Sequence, residues 1–184
     1  MAKVGIFLAD GFEEIEGLTS VDAMRRAGYE VTTISIMGTR AINGSHNIKL
    51  YADEMFDDVD IDGFDAIVLP GGGVGTENLL KHEGVKKAVK RYNDEGRIIG
   101  AICAAPIVLS EAGVLDGIHV TCYPGCESRL SDKAIYTGAQ VEQERNIITG
   151  NGMGAALPFA LALIVAITGQ EDAQKVKQGV AWVD

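Results

Sequence analysis

Short, almost wholly apolar segments alternate with helical segments along this chain, and that alternation most constrains its fold. Residues 3–9, 66–69 and 97–102 have the length and apolar character of buried strands. Residues 13–27 and 83–95 have the spacing of amphipathic helices, and a glycine follows each of them. Because strands of this kind are buried on both faces, the pattern predicts an α/β fold, a mostly parallel sheet with helices on both faces.

The remaining elements continue this alternation. We predict further strands over residues 30–36, 118–122 and 146–149, a hairpin over 41–51 around Asn43-Gly44, and helices over 105–112, from 155 and from 171. The helical spacing of the first helix places four apolar side chains on one face: Ile15, Leu18, Val21 and Met24. Since no linker, low-complexity tract or repeat interrupts the chain, residues 1–184 are predicted to form a single domain.

The composition excludes several classes of protein. The formal net charge of −10 argues against a nucleic-acid binder, which needs a basic surface to contact phosphates. No signal peptide is visible, and the longest apolar run, residues 155–167, contains Pro158 and is too short to span a bilayer. We therefore expect a cytoplasmic protein that binds neither nucleic acid nor membrane, with its three cysteines as free thiols.

Cys103 is the leading candidate for chemistry. The segment AICAA at residues 101–105 has small residues around the cysteine and follows an apolar strand, as in a nucleophile elbow. Such a turn places the sulfur at a helix N-terminus, where the dipole and free N–H groups stabilise a thiolate. The alternative is a small buried cysteine of the core, since free cysteine is among the most buried residue types.

Parallel strands end at one edge of the sheet, where sites form at a topological switch point. Glu16, Gly72 and Cys103 are therefore expected to share one pocket. Burial would keep Glu16 protonated, and a neutral carboxyl group donates a hydrogen bond to a thiolate; the alternative is a surface glutamate. Glu13 and Glu14 are expected to be solvated charges that favour the helix start.

The glycine-rich segment at residues 70–75 contains neither GxGxxG nor a P-loop pattern, so we do not predict a nucleotide site. Its backbone N–H groups, with that of Ala104, are candidates for an oxyanion hole. No metal or cofactor site is predicted, because the three histidines lack ligand spacing and few plausible partner ligands lie near Cys122 and Cys126 in the sequence. Those two cysteines are interpreted as core and loop thiols, with extra oxidation sites as the alternative.

Five segments together resemble the ThiJ/PfpI superfamily, also called the DJ-one superfamily, and look closest to its DJ-one branch. They are EEIE at 13–16, VDAMRRAG at 21–28, VLPGG at 68–72, AICAAP at 101–106 and QKVK at 174–177. The resemblance implies a flavodoxin-like three-layer sandwich and a homodimer whose interface includes the first helix. It also implies that Cys103 is the reactive cysteine, that Glu16 contacts its sulfur, and that Gly72 and Ala104 supply backbone donors.

Two positions depart from the family pattern. Many members have a histidine near the cysteine where this chain has Tyr123, and tyrosine is a poor base at neutral pH. An arginine near the pocket of some members is replaced by His46, which we consider as a substitute imidazole. A Cys-His-Glu triad is therefore in doubt, although Tyr123 and His46 remain candidate substrate-binding residues.

Three functions are compatible with these residues. The first is a cofactor-independent enzyme acting on small reactive carbonyls, of glyoxalase or deglycase type, with Cys103 as nucleophile and Glu16 as acid and base. The second is a redox sensor or stress-protective chaperone that uses oxidation of Cys103, with an oxidant as its small-molecule partner. The third is a peptidase or amidase of the PfpI type, which Tyr123 disfavours because leaving-group protonation normally uses an imidazole.

Overall fold

A seven-stranded sheet lies at the centre of the computed structural model, which describes residues 1–182. The strands are β1 (Lys3–Leu8), β2 (Glu30–Ser35), β3 (Ala41–Asn43), β4 (Lys49–Tyr51), β5 (Glu54–Met55), β6 (Ala66–Leu69), β7 (Ile98–Ile102), β8 (His119–Val120), β9 (Ile135–Tyr136), β10 (Val141–Glu144) and β11 (Ile147–Gly150). The helices are α1 (Glu14–Arg26), α2 (Gly73–Lys81), α3 (Glu83–Asp94), α4 (Pro106–Glu111), α5 (Ala156–Thr168) and α6 (Gln170–Gly179).

The strand order positions the site. The order is β10-β11-β7-β6-β1-β2-β5, and all neighbours are parallel except β10 with β11. After β5 at one edge, the chain returns to place β6 beside β1, so these two strands flank the switch point. The segments that follow β1, β6 and β7 meet there, as predicted for a parallel sheet.

The helices form two groups, in which α1, α5 and α6 pack together and α2, α3 and α4 pack together. Helix α5 lies close to the sheet because β7 carries Gly100, where a Cβ atom would be 3.0 Å from atoms of Leu163 and Phe159. The apolar run at 155–167 is therefore core, as predicted. No helix within residues 1–182 is both long and apolar enough to cross a membrane.

Helix α1 faces the core differently from its predicted apolar face. Ile15 and Leu18 are 51% and 40% exposed, whereas Glu16 and Gly17 are buried. Small residues permit this orientation, since a Cβ atom on Gly17 would lie 2.7 Å from the ring of Phe12. The homodimer implied by the family resemblance stays a prediction, and the exposed apolar pair lies on the helix assigned to its interface.

The hairpin forms, but it does not turn at Asn43-Gly44. Asn43 still pairs with Lys49, and the chain reverses over residues 44–47, where the Asn47 N–H donates to the Gly44 carbonyl at 3.1 Å. Asn47 adopts a left-handed φ of 63°, which asparagine tolerates better than most residues. The turn is displaced because the loop N–H groups bind the carboxylate of Glu14.

Other elements also differ from the sequence prediction, which gave no strands at β5, β9 and β10. The strand predicted over 118–122 is reduced to β8, which pairs with β9 outside the central sheet. Beyond it, the Thr121 N–H donates to the Thr149 hydroxyl at 3.0 Å instead of joining a ladder. Helix α2 was not predicted, because Gly73 and Gly75 are poor helix formers. Gly75 is needed there, since a Cβ atom would lie 2.7 Å from the Phe12 nitrogen.

Candidate functional site

Cys103 lies directly after β7 and has the backbone conformation of a nucleophile elbow. Its φ of 64° is in the left-handed region, which a non-glycine residue adopts only when its surroundings hold it there. Two hydrogen bonds hold it: the Cys103 N–H donates to the Gly150 carbonyl and the Tyr123 N–H donates to the Cys103 carbonyl, each at 2.8 Å. Ala104 and Ala105 lead into α4, so the small residues fit the tight turn.

Glu16 lies in the first turn of α1 and is fully buried beside Cys103. Its Oε2 accepts the Gly71 N–H at 2.9 Å, and its carboxyl group interacts with the Cys103 thiol. Oε1 has no partner of good hydrogen-bond geometry within residues 1–182. Burial raises the pKa of Glu16 to about 7, against the opposing effect of the Gly71 N–H and the thiol. The carboxyl group is therefore partly protonated near neutral pH.

Cys103 is nearly buried. It is only 9% exposed, and a Cβ atom on Gly71 would lie 2.6 Å from the Cys103 Cβ. Burial, together with the charge of ionised Glu16, raises the pKa of Cys103 to about 12. The exposure therefore agrees with the alternative of a buried cysteine, and the thiolate expected at the helix N-terminus is not favoured in this state. Because two negative charges so close together repel each other, loss of a second proton from the pair is opposed.

Backbone N–H groups of Gly72 and Ala104 interact with the Cys103 sulfur and lower its pKa, although burial outweighs them. Gly72 presents its N–H group from a backbone with φ 90° and ψ 129°, which favours glycine. This loop is bound to the segment after β1: the Glu13 N–H donates to the Gly71 carbonyl at 3.0 Å, and the Gly75 N–H to the Gly11 carbonyl at 3.1 Å. The glycine-rich segment thus holds the thiol and Glu16 in one site.

Tyr123 and His46 lie in different surroundings. Tyr123 adjoins the Cys103 backbone, and its half-exposed ring lies over Gly152, where a Cβ atom would be 3.3 Å from the ring. His46 contacts Glu14 instead of Cys103, with 3.1 Å between its Nδ1 and the Glu14 Oε2. Its role as a substitute imidazole for Cys103 therefore has no support from its contacts among residues 1–182.

Comparison with known proteins places this chain in a family. The family model described as DJ-1/PfpI matches residues 2–166. The chain belongs to the DJ-1/PfpI family. It is 35% identical over 175 residues to the Parkinson disease protein 7 homolog of Danio rerio, covering 94% of this chain and 93% of that one.

Two other relatives extend this comparison. The structure of oxidized DJ-1 from Toxoplasma gondii is 30% identical in sequence to this chain and has a TM-score of 0.95. The structural match covers 100% of both chains. This similarity confirms the flavodoxin-like α/β fold. A protein of Pyrococcus abyssi that is named a deglycase is 33% identical to this chain over 156 residues. The matched region covers 85% of this chain and 90% of the Pyrococcus protein.

Glu13 and Glu14 are buried, contrary to the expectation that they are solvated charges. Burial opposes ionisation of Glu14, but hydrogen bonds from the backbone and side chain of His46 and from Ser45 lower its pKa to about 2. The residues that these contacts join lie far apart in the sequence, separated by 31 positions in one case and 32 in the other. Sequence reasoning missed this cluster, since no local spacing connects the helix start to the hairpin loop.

The Glu16 pKa predicts how stability depends on pH. Because the folded-state pKa of about 7 exceeds the ordinary value of 4.5, the folded chain holds a proton that the unfolded chain has released between these two pH values. The free energy of unfolding therefore falls as pH rises through this window, by up to about 3 kcal/mol from Glu16 alone.

Urea unfolding at about pH 5 and about pH 8 measures this effect, with Glu16→Gln as the comparison because glutamine does not ionise. The wild-type chain should lose more stability over this interval than the variant. An equal loss in both proteins would show that other groups, such as His46, cause the pH dependence.

Proposed function

We propose that this chain is an enzyme that acts on small reactive carbonyls through Cys103 and Glu16, with chemistry of the glyoxalase or deglycase type. The observation that carries the proposal is the buried carboxyl group of Glu16 beside the Cys103 thiol, with a pKa near the working pH. A general acid or base is most effective when its pKa is close to that pH. The deglycase relative from Pyrococcus abyssi supports the same class of chemistry.

The first step is addition of Cys103 to an aldehyde carbon. The sulfur forms a bond to that carbon, the carbonyl π electrons move to oxygen, and the proton of the Cys103–Glu16 pair neutralises the oxygen as a hemithioacetal. The N–H groups of Gly72 and Ala104 hold the developing negative charge near the sulfur. Glu16 is left ionised beside the adduct and is then a base.

With methylglyoxal as substrate, the second step moves a proton between adjacent carbons. Glu16 removes the proton from the carbon bonded to sulfur, which gives an enediolate, and then returns that proton to the neighbouring carbon. The hydroxyl proton of the first carbon moves to the former ketone oxygen in the same step. The product is a thioester of lactate on Cys103, which water hydrolyses to lactate and the free thiol. The net reaction adds one water to methylglyoxal and needs only a thiol, a carboxyl group and backbone donors.

The second candidate function is sensing of oxidants, and the same contacts favour it. Gly72 and Ala104 direct N–H groups at the sulfur, and a protonated Glu16 is a hydrogen-bond donor for an oxidised sulfur. An oxidised relative from Toxoplasma gondii is consistent with this alternative. Burial of the thiol and its raised pKa slow peroxide oxidation and carbonyl addition alike, because both reactions need the thiolate, so they do not decide between the two functions.

Lactate formation from methylglyoxal without glutathione tests the first function. We expect steady turnover by the wild-type chain and only background in Cys103→Ser, a loss of at least about a hundredfold because the nucleophile is removed. Cys126→Ser is the matched control, since Cys126 is a half-buried loop thiol and should leave turnover unchanged. Wild-type activity no higher than that of Cys103→Ser would reject carbonyl chemistry and leave peroxide oxidation of Cys103 as the function to measure.

A further inference from the structure

A second cluster of polar side chains lies where the start of α1 meets the hairpin loop. The Ser45 hydroxyl oxygen is 3.0 Å from the Glu13 Oε2 and 2.9 Å from the Glu14 Oε2. The His46 Nδ1 is 3.1 Å from the Glu14 Oε2, 3.7 Å from the Glu13 Oε2 and 2.9 Å from the Ser45 oxygen. One carboxylate from each glutamate and one imidazole nitrogen therefore converge on a single point.

Both carboxylates of this cluster are buried, and polar groups of the hairpin loop hold them in place. The side chains of Glu13 and Glu14 are 8% and 5% exposed, yet neither forms an ion pair with lysine or arginine within residues 1–182. The Ser45 hydroxyl has one proton, so it can donate to only one of the two carboxylate oxygens that lie within 3.0 Å of it. Buried charges in proteins are normally paired or bound to a metal, and the only cationic partner of these two carboxylates within residues 1–182 is the largely exposed His46 ring, so a bound cation would add to their pairing.

We propose that Glu13, Glu14 and His46 form a binding site for a divalent transition metal, with Zn²⁺ as the best match. Zinc takes imidazole nitrogen and carboxylate oxygen at about 2.1 Å, which places tetrahedral ligand atoms about 3.4 Å apart. The observed separations from the His46 Nδ1 to the two carboxylates, 3.1 and 3.7 Å, bracket that value. All three ligand atoms lie within 4.8 Å of one another.

The cluster also has an entry path. Glu13, Glu14 and His46 line a cleft of about 290 Å³, whose other walls are Ile15, Ile48 and Met153. Three protein ligands leave the fourth metal position open to water or to the Ser45 hydroxyl. Because the ligands come from α1 and the hairpin loop, a bound metal would join these two elements.

His119 provides an internal comparison. Its Nδ1 is 2.8 Å from the Glu144 Oε2, so it resembles the His46–Glu14 pair in geometry. It lacks the buried second carboxylate that His46 has, and it belongs to no cluster of three ligands within the described residues. The proposal therefore predicts that His119 binds zinc much more weakly than His46 does.

Calorimetric titration of the chelator-treated full chain with Zn²⁺ alone tests the proposal. We expect one Zn²⁺ per chain and at least about tenfold weaker binding by His46→Ala and by Glu13→Gln, because each variant removes one ligand. The exposed His46 ring can be removed without disturbing the core, so His46→Ala should fold. His119→Ala should bind like wild type, and so should Cys103→Ser and Cys126→Ser, which test capture of zinc by thiolates.

Three results would overturn the site: no zinc uptake by the wild-type chain, unchanged affinity in His46→Ala, or loss of binding that follows His119 or a cysteine. A second readout is thermal unfolding, where zinc at about a hundred times its dissociation constant should raise the wild-type midpoint by about 5 °C or more and that of His46→Ala by much less. Neither measurement depends on carbonyl turnover, so failure of the metal site leaves the proposed enzyme function untouched.

Discussion

Glu16→Gln should reduce lactate formation from methylglyoxal by about a hundredfold to ten-thousandfold, the usual contribution of a general acid or base. The substitution is nearly isosteric. The glutamine oxygen can still accept the Gly71 N–H that now binds the Glu16 Oε2, and the amide NH₂ can still face the Cys103 sulfur. What the variant cannot do is take up and release a proton, so the loss of rate measures proton transfer.

The same variant separates the two candidate functions. Replacing Glu16 removes the charge that helps to raise the pKa of Cys103, while the amide still donates to the sulfur. Oxidation of Cys103 by peroxide should therefore be as fast in Glu16→Gln as in wild type, or faster. Lost carbonyl turnover with retained oxidation is the result that the proposed enzyme predicts.

Glu83→Gln is the control for this comparison, because Glu83 is an exposed residue of α3 whose partner is Lys86 at 2.7 Å. Its turnover should equal that of wild type. Turnover by Glu16→Gln within about threefold of wild type would contradict the role of Glu16 as the proton carrier, provided that urea unfolding shows a folded variant.

Local sequence signals predicted the five inner strands of the sheet but not its edge strands β5 and β10, because only buried parallel strands appear as short apolar runs. The strand predicted over 66–69 is β6, and the runs at 3–9 and 97–102 gave β1 and β7 within one residue at each end. The signal failed where a contact with a side chain distant in the sequence decides the structure. Thr121 bonds to Thr149, 28 residues away, and this contact ends β8.

The site was predictable only in part. The small residues around Cys103 predicted the tight turn, because the left-handed backbone at Cys103 leaves no room for bulky neighbouring side chains. The switch-point argument placed Glu16 in one pocket with Cys103, and the family resemblance supported their contact, whereas simple periodicity would bury the apolar neighbour Ile15 instead of Glu16. Burial of the sulfur depends on Gly71, whose close approach to Cys103 no local pattern indicates.

Gly72→Ala should destabilise the fold by about 3–5 kcal/mol, since it adds backbone strain to a severe steric overlap. The glycine has φ 90° and ψ 129°, where L-residues are strained. A Cβ atom there would lie 2.7 Å from the Glu13 nitrogen and closer still to the Gly11 carbonyl oxygen. Both are backbone atoms of the segment that leads into α1, so neither can move without shifting Glu16.

The adjacent glycine gives the matched control for this prediction. A Cβ atom on Gly73 meets nothing within 4 Å, and Gly73 is the first residue of α2, so Gly73→Ala should be neutral or stabilising by up to about 1 kcal/mol. Urea unfolding of both variants measures the difference, and failure of Gly72→Ala to fold would agree with its sign. A loss below about 1 kcal/mol in Gly72→Ala would show that the loop relaxes easily. The Gly72 N–H would then be too loosely held to act as a fixed donor to the Cys103 sulfur, because a preorganised donor requires a rigid loop.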